Sequence, residues 1–229
     1  MKGSAYFQKL AHVTTLLSIL LVALSPSMSR AVDTGAAEVK STIGVATYAY
    51  PDGRVGEVKP GIKLQAGAII STAKRSKVNL WLGENGEALQ IEEDATLVLV
   101  RLDVTKEGSN VTVDTRLVLK YGGVSGNVKK LSADSRFEVA FPAGVVRIRG
   151  TTWRILPDNK VVCGFGSVTV TYGEAGVESP SVRVPAGDMA LPPQKPRAAP
   201  VIVTPAPASA LGPIAPIPNS PAVPPGSQK

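Results

Sequence analysis

The sequence predicts an all-β fold: a β-solenoid or β-roll of about a dozen short strands, with a β-sandwich as the alternative. Three observations carry this expectation. Between roughly Lys40 and Pro192, apolar and polar residues alternate in short runs, as in strands with one buried face. No stretch there keeps the 3.6-residue repeat of a helix. Gly, Asn and Asp split the runs at intervals typical of all-β domains. The expected domain covers residues 41–191, long enough at about 150 residues to bury a core without disulfides.

Ahead of it, Lys2 and Lys9 precede the apolar stretch Val13 to Leu24, and Ser29-Arg30-Ala31 follows. That order of charge, apolar run and small-x-small site reads as a secretory signal peptide over residues 1–31, cleaved near Ala31. The apolar run is shorter than the ~20 residues a membrane span needs. The expected mature protein is therefore exported, with no transmembrane span.

The strands follow in order. Val78, Leu80 and Leu82 point one way, Asn79 and Trp81 the other. Gly83-Glu84-Asn85-Gly86 turns the chain, Asn-Gly suiting the positive φ angles of a tight hairpin, and Leu89 and Ile91 resume the pattern. Thr96 to Arg101 and Leu117-Val118-Leu119 are further runs, with turns at Gly122-Gly123 and Gly126. Phe137 and Val139 alternate with Arg136 and Glu138; Val146 and Ile148 alternate with Arg147 and Arg149. Pairing Val139 with Val146 sets Glu138 against Arg147, whereas a slip of one residue would bury the arginines. Another hairpin is expected at Pro157-Asp158-Asn159, and late strands at Val168-Val170 and Val182-Val184. From Pro192 to Lys229, 12 of 38 residues are proline. Proline lacks the backbone donor and fixes φ, so residues 192–229 are expected to be a disordered tail that joins no sheet.

Composition narrows the chemistry. The chain has 229 residues, 25 Lys+Arg, 18 Asp+Glu, one His and one Cys. The single histidine, His12, lies in the leader. The mature chain then has no imidazole for a Ser-His-Asp triad, a Cys-His pair or a His-ligated metal. A lone Cys163 excludes intrachain disulfides and Cys-rich zinc sites. Residues 32–192 hold 19 bases and 18 acids, too even a balance for nucleic-acid binding to be expected. Lys74-Arg75 with Lys77, and Lys129-Lys130, are read as solvated charge beside turns. No cofactor is expected.

Several segments together resemble the FecR domain family. Val145 to Trp153 (VVRIRGTTW) is similar to the family's strand ending in Arg-Gly-Thr and an aromatic residue, here Arg149, Gly150, Thr151 and Trp153. Leu64 to Thr72 resembles its L-x-x-G-x-x-I-x-T element, and Ser76 to Ile91 its strand, (D/N)G turn and strand. The resemblance implies a β-rich module outside the cytoplasm, in the periplasm or at the exterior of a bacterium. In well-known members this module is the sensory half of a regulator that relays the state of an outer-membrane transporter to a sigma factor. For this chain it implies a non-enzymatic interaction module of the cell envelope with a protein partner in signalling or assembly. A cell-wall or surface polysaccharide is the alternative ligand, and an envelope hydrolase the alternative class.

Candidate site residues come from exposed strand faces. Arg147 and Arg149, placed on one face, suit a carboxylate, phosphate or anionic glycan; the competing state is an ion pair with Glu138. Trp81, Tyr48 and Tyr50 lie off the main apolar face and could stack on sugars, but a strand covered on both sides also shows aromatics both ways, and burial is expected. Trp153 is expected in the core. Glu84, Glu87, Glu92, Glu93 and Asp94 crowd one hairpin; a hydrolase would use two such carboxylates at a set separation, while a solvated hairpin end is the ordinary reason for such acids. Cys163, in an apolar run, is expected to be a buried, inert thiol.

Overall fold

Short alternating runs cannot bury a face alone, so they must pair, and the chain does so repeatedly. The structure, a computed structural model, describes residues 32–86, 88–173, 180–193 and 201–212. The leader expected over 1–31 lies outside the described residues, and no described helix is long and apolar enough to cross a membrane. The strands are β1 (Val32–Thr34), β2 (Ala36–Ile43), β3 (Ala46–Ala49), β4 (Val55–Glu57), β5 (Lys63–Gln65), β6 (Ile69–Thr72) and β7 (Lys77–Trp81). Next come β8 (Ala88–Ile91), β9 (Thr96–Glu107), β10 (Asn110–Tyr121), β11 (Val124–Asn127), β12 (Arg136–Phe141) and β13 (Gly144–Arg147). The last are β14 (Thr152–Ile155), β15 (Val161–Phe165), β16 (Ser167–Tyr172), β17 (Ser181–Pro185), β18 (Asp188–Leu191) and β19 (Ile202–Pro205).

The fold is all-β, as expected, and built from two sheets without a closed barrel. The first sheet has ten strands in the order β17-β16-β13-β12-β10-β9-β6-β3-β4, with β1 also paired to β9. The second has nine, β19-β18-β15-β14-β11-β8-β7-β2-β5. From β12 onward, hairpins alternate between the sheets: β12-β13 in the first, β14-β15 in the second, β16-β17 in the first, β18-β19 in the second. Each new hairpin pairs beside the previous one in its own sheet, so both sheets grow toward the same chain end. The parallel pair β10-β12 arises because β11 crosses to the second sheet between them.

Inward-facing side chains of both sheets form one apolar cluster. Phe137 from the first sheet meets Trp153 from the second edge to face, ring centres 6.3 Å apart, both fully buried. Such a ring contact adds about 0.5–1.5 kcal/mol to the burial of its area. Tyr172 on β16 donates its hydroxyl to the carbonyls of Ala190 and Asn159, each at 3.0 Å, tying the first sheet to the second, and burial raises its pKa.

The Arg136 to Arg147 hairpin has the expected register: Val139 opposes Val146 and Glu138 opposes Arg147. The hairpin at Pro157-Asp158-Asn159 also forms, with Asn159 at φ 63° and Ile155 opposite Val161. Other expectations need correction. The strands outnumber the dozen expected, because segments of three or four residues are too short to show a period. The β-structure already includes Ala36 to Lys40, ahead of the expected start at 41; Ala37 and Val39 are core residues. The Asn-Gly turn is a 3-10 turn, Gly83–Asn85, with positive φ at Gly83 and Gly86 and not at Asn85.

Part of the proline-rich tail does join a sheet. Ile202–Pro205 forms β19 on β18, with Leu191 opposite Ile202 and Asp188 opposite Pro205. Proline excludes a residue from donating to a ladder, but the β-branched run Val201 to Thr204 lies between prolines and keeps its donors. Pro205 closes an edge strand, where a missing donor is tolerated. Residues 194–200 and 213–229, the rest of the tail expected to be disordered, lie outside the described residues.

Candidate interaction surface

Alternation along β12 and β13 turns Arg136, Glu138 and Arg147 to the outer face of the first sheet. Arg147 Nε donates to Glu138 Oε1 at 2.8 Å, and Arg136 Nε lies 3.8 Å from the same oxygen. The ion pair expected as the competing state of Arg147 is therefore formed. Arg149 does not share its strand face, because β13 ends at Arg147; Arg149 lies in the following bend and its guanidinium donates to the carbonyl of Ala133. Each of the two arginines thus has a partner of its own.

Register places further cations beside Arg147. Arg183 opposes Thr169, Thr169 opposes Arg147, Arg147 opposes Glu138, Glu138 opposes Arg116, and Arg116 opposes Arg101. One cross-strand row on the outer face thus carries four arginines and one carboxylate. Arg101 is held by Asp114 at 2.7 Å and Asp103 at 3.6 Å, and the hydrogen bond it donates to Asp114 raises its pKa. Sequence reading missed this row because its members lie on six different strands, and only their pairing brings them together.

The aromatics separate. Tyr48 and Tyr50 lie on and just after β3, edge to face at 6.0 Å, while Trp81 is half-buried on the outer face of the second sheet. Tyr50 is buried, as expected; Arg54 covers its ring at 4.1 Å, and its hydroxyl accepts from the amide of Gln65. Tyr48 and Trp81 are only half-buried. The three rings do not form one platform. Trp153 is fully buried, as its place in the Arg-Gly-Thr-Thr-Trp element leads one to expect.

That element shapes the fold. Gly150 has φ +90°, and a Cβ there would lie 2.9 Å from the Cα of Lys130. Thr151 is buried, and its carbonyl accepts from the amide of Val128. The Leu64 to Thr72 element has the same character. Leu64 and Ile70 are core residues, and the Thr72 hydroxyl donates to the Glu92 carbonyl and accepts from the amide of Ala95.

Three of the five acidic residues each have a partner of their own. Glu84 pairs with Lys129 at 2.6 Å, and that hydrogen bond holds its pKa below the usual carboxylate value. Glu92 pairs with Lys77 at 3.3 Å, and Glu93 accepts from the amide of Arg75 at 2.6 Å. Glu87 lies outside the described residues. Cys163 is a buried free thiol, as expected, and burial pushes its pKa up to about 11. Little thiolate forms at neutral pH.

Residues 68–175 match the family model of the FecR protein, which covers the strands from β6 to β16 and the Arg-Gly-Thr element. That family is in general a regulatory domain of envelope signalling. No curated protein matches the chain.

Proposed function

We infer, from a chain that carries a FecR domain over residues 68–175, that it is an exported module of the bacterial envelope that works by binding a protein partner in signalling or assembly. The observation that carries this reading is the outer face of the first sheet, where charged side chains stand on a rigid ladder of strands. A laterally extended face of paired strands suits contact with another folded surface, since its backbone is already ordered before docking. A glycan would want exposed, stacked aromatics, whereas Tyr50 is buried and Trp81 lies on the other sheet from Tyr48. Hydrolysis would want two carboxylates facing one another across a cleft. Glu84, Glu92 and Glu93 each have their own separate partner.

Photo-crosslinking of the full chain in cells, from a reactive residue at Thr169 on the outer face, tests the reading. A discrete protein adduct in the envelope fraction is the expected result. Recovery of glycan alone, or turnover of any envelope substrate by the purified chain, would overturn it.

A further inference from the structure

The long hairpin β9-β10 carries two irregularities. Arg116 opposes Arg101 but Leu117 opposes Leu99, so Val100 is an extra residue on β9. Leu119 opposes Leu97 but Tyr121 opposes Thr96, so Lys120 is an extra residue on β10. A bulge re-aims side chains that strict alternation would hide. Here Val100 and Arg101 both emerge on the outer face, as do Lys120 and Tyr121, while Leu97, Leu99, Leu102, Leu117 and Leu119 stay in the core. Val100 is 43% exposed and Tyr121 59%.

Between these residues runs an aliphatic strip. Val145 opposes Ala140, Ala140 opposes Val118, Val118 opposes Val98, Val98 opposes Ile69, and Ile69 opposes Ala49. All six are half-buried, and Val55, opposite Ala49 on the edge strand β4, is 73% exposed. The strip crosses seven strands spaced about 4.8 Å apart. On β10, Arg116 and Lys120 stand two residues to either side of Val118, and among the described residues neither has an ion-pair partner. The nearby carboxylates are already engaged: Glu138 by Arg147, and Asp114 by Arg101. The second sheet differs. Its outer face is partly covered by the chain itself, where Arg154 donates to the carbonyls of Ala210 and Gly212.

We propose that the outer face of the first sheet, centred on Val118 and rimmed by Arg116, Lys120, Val100 and Tyr121, docks an acidic amphipathic segment of a partner protein. The strip would receive a line of aliphatic side chains, and carboxylates beside that line would meet Arg116 and Lys120. Charge complementarity selects the occupant, because cations with no ion-pair partner among the described residues flank the apolar strip on both sides. Tyr and Arg are also the residue types that most often anchor interfaces. An anionic polymer without apolar groups would leave the strip uncovered. The proposal rests on the protein-binding reading above and narrows it to one surface and one partner chemistry.

The test uses the full chain and four probes: an amphipathic Leu/Glu peptide, the same peptide with Lys for Glu, polyglutamate, and the anionic polysaccharide polygalacturonate. Hydrogen exchange maps any contact. The expected result is binding of the Leu/Glu peptide alone, with slowed exchange at residues 98–101 and 116–121. The Arg116→Glu/Lys120→Glu double variant and Tyr121→Ser should each weaken it roughly tenfold or more, and Arg116→Lys should largely preserve it. These sites are exposed, so melting temperatures should not change, which separates lost contact from lost fold. Equal binding of the Leu/Lys peptide, polyglutamate or polygalacturonate would overturn the proposal, as would protection elsewhere on the molecule. The crosslinking experiment separates the two claims. A partner captured equally by wild type and by the double variant sinks this surface and leaves the protein-binding reading intact; no partner with wild type sinks that reading itself.

Discussion

Gly150 shows how one residue ties motif to fold. Its φ of +90° is open to glycine and strained for any L side chain, and a Cβ there would crowd the backbone of Lys130 at 2.9 Å. Gly150→Val is expected to destabilise the domain by about 2 kcal/mol or more, and Gly150→Ala by less. For a domain of this size that is a drop of roughly 4–8 °C in melting temperature. Thermal unfolding followed by circular dichroism checks it, and an unchanged midpoint would refute the assignment. The Arg-Gly-Thr element was legible as a corner because a glycine that interrupts an alternating apolar run marks a bend or a close backbone approach. Arg149 was not placed correctly, since nothing in its alternation shows where the strand stops.

At the scale of elements, the turn at Gly83–Asn85 does more than reverse the chain. Asn85 is buried, and its Nδ2 reaches the carbonyl of Leu102 at 3.4 Å. Its Oδ1 and its backbone carbonyl both accept from the Thr115 hydroxyl at 3.0 Å. The turn between β7 and β8, in the second sheet, is thereby tied to β9 and β10 in the first. Asn85→Ala should cost about 1–3 kcal/mol, because buried partners lose a hydrogen bond without gaining water. Thr115→Val should share part of that cost, so the double variant should be less destabilised than the two single losses added together. Strict additivity in a urea-unfolding cycle would show that the turn and the long hairpin are independent. Sequence reasoning found the turn and mistook the role of Asn85. Its preference for hairpin turns is local, whereas its actual partners lie 17 and 30 residues away.

Across the whole molecule, the chain end covers an edge that would otherwise stay open. β19 pairs along β18, and the turn after it places Ala210 and Gly212 over Arg154. A chain ending at Pro193 would expose the β18 edge and the outer face near Val162 and Met189, both now buried. Unpaired edges with apolar neighbours invite association. Such a truncated chain is expected to melt earlier, bind more of a hydrophobic dye and self-associate in sedimentation. A truncated chain that behaves like the full one would show that β19 contributes nothing to the fold.

The sequence by itself determined the all-β class, the apolar faces and the register of the Arg136 to Arg147 hairpin, because these follow from period-two alternation among near neighbours. It also marked the lone thiol as inert and the Arg-Gly-Thr-Thr-Trp segment as part of the framework. Only the tertiary structure decided which strands meet. The arginine row, the aliphatic strip and the partners of Asn85 all join residues distant in the chain. A bulge shifts register by one residue without any mark in the local pattern, so alternation from Leu99 and Leu119 would have turned Arg101 and Tyr121 inward, and only the bulges turn them out. The same holds for β19: its residues could form a strand, and the open edge of β18 decided that they do.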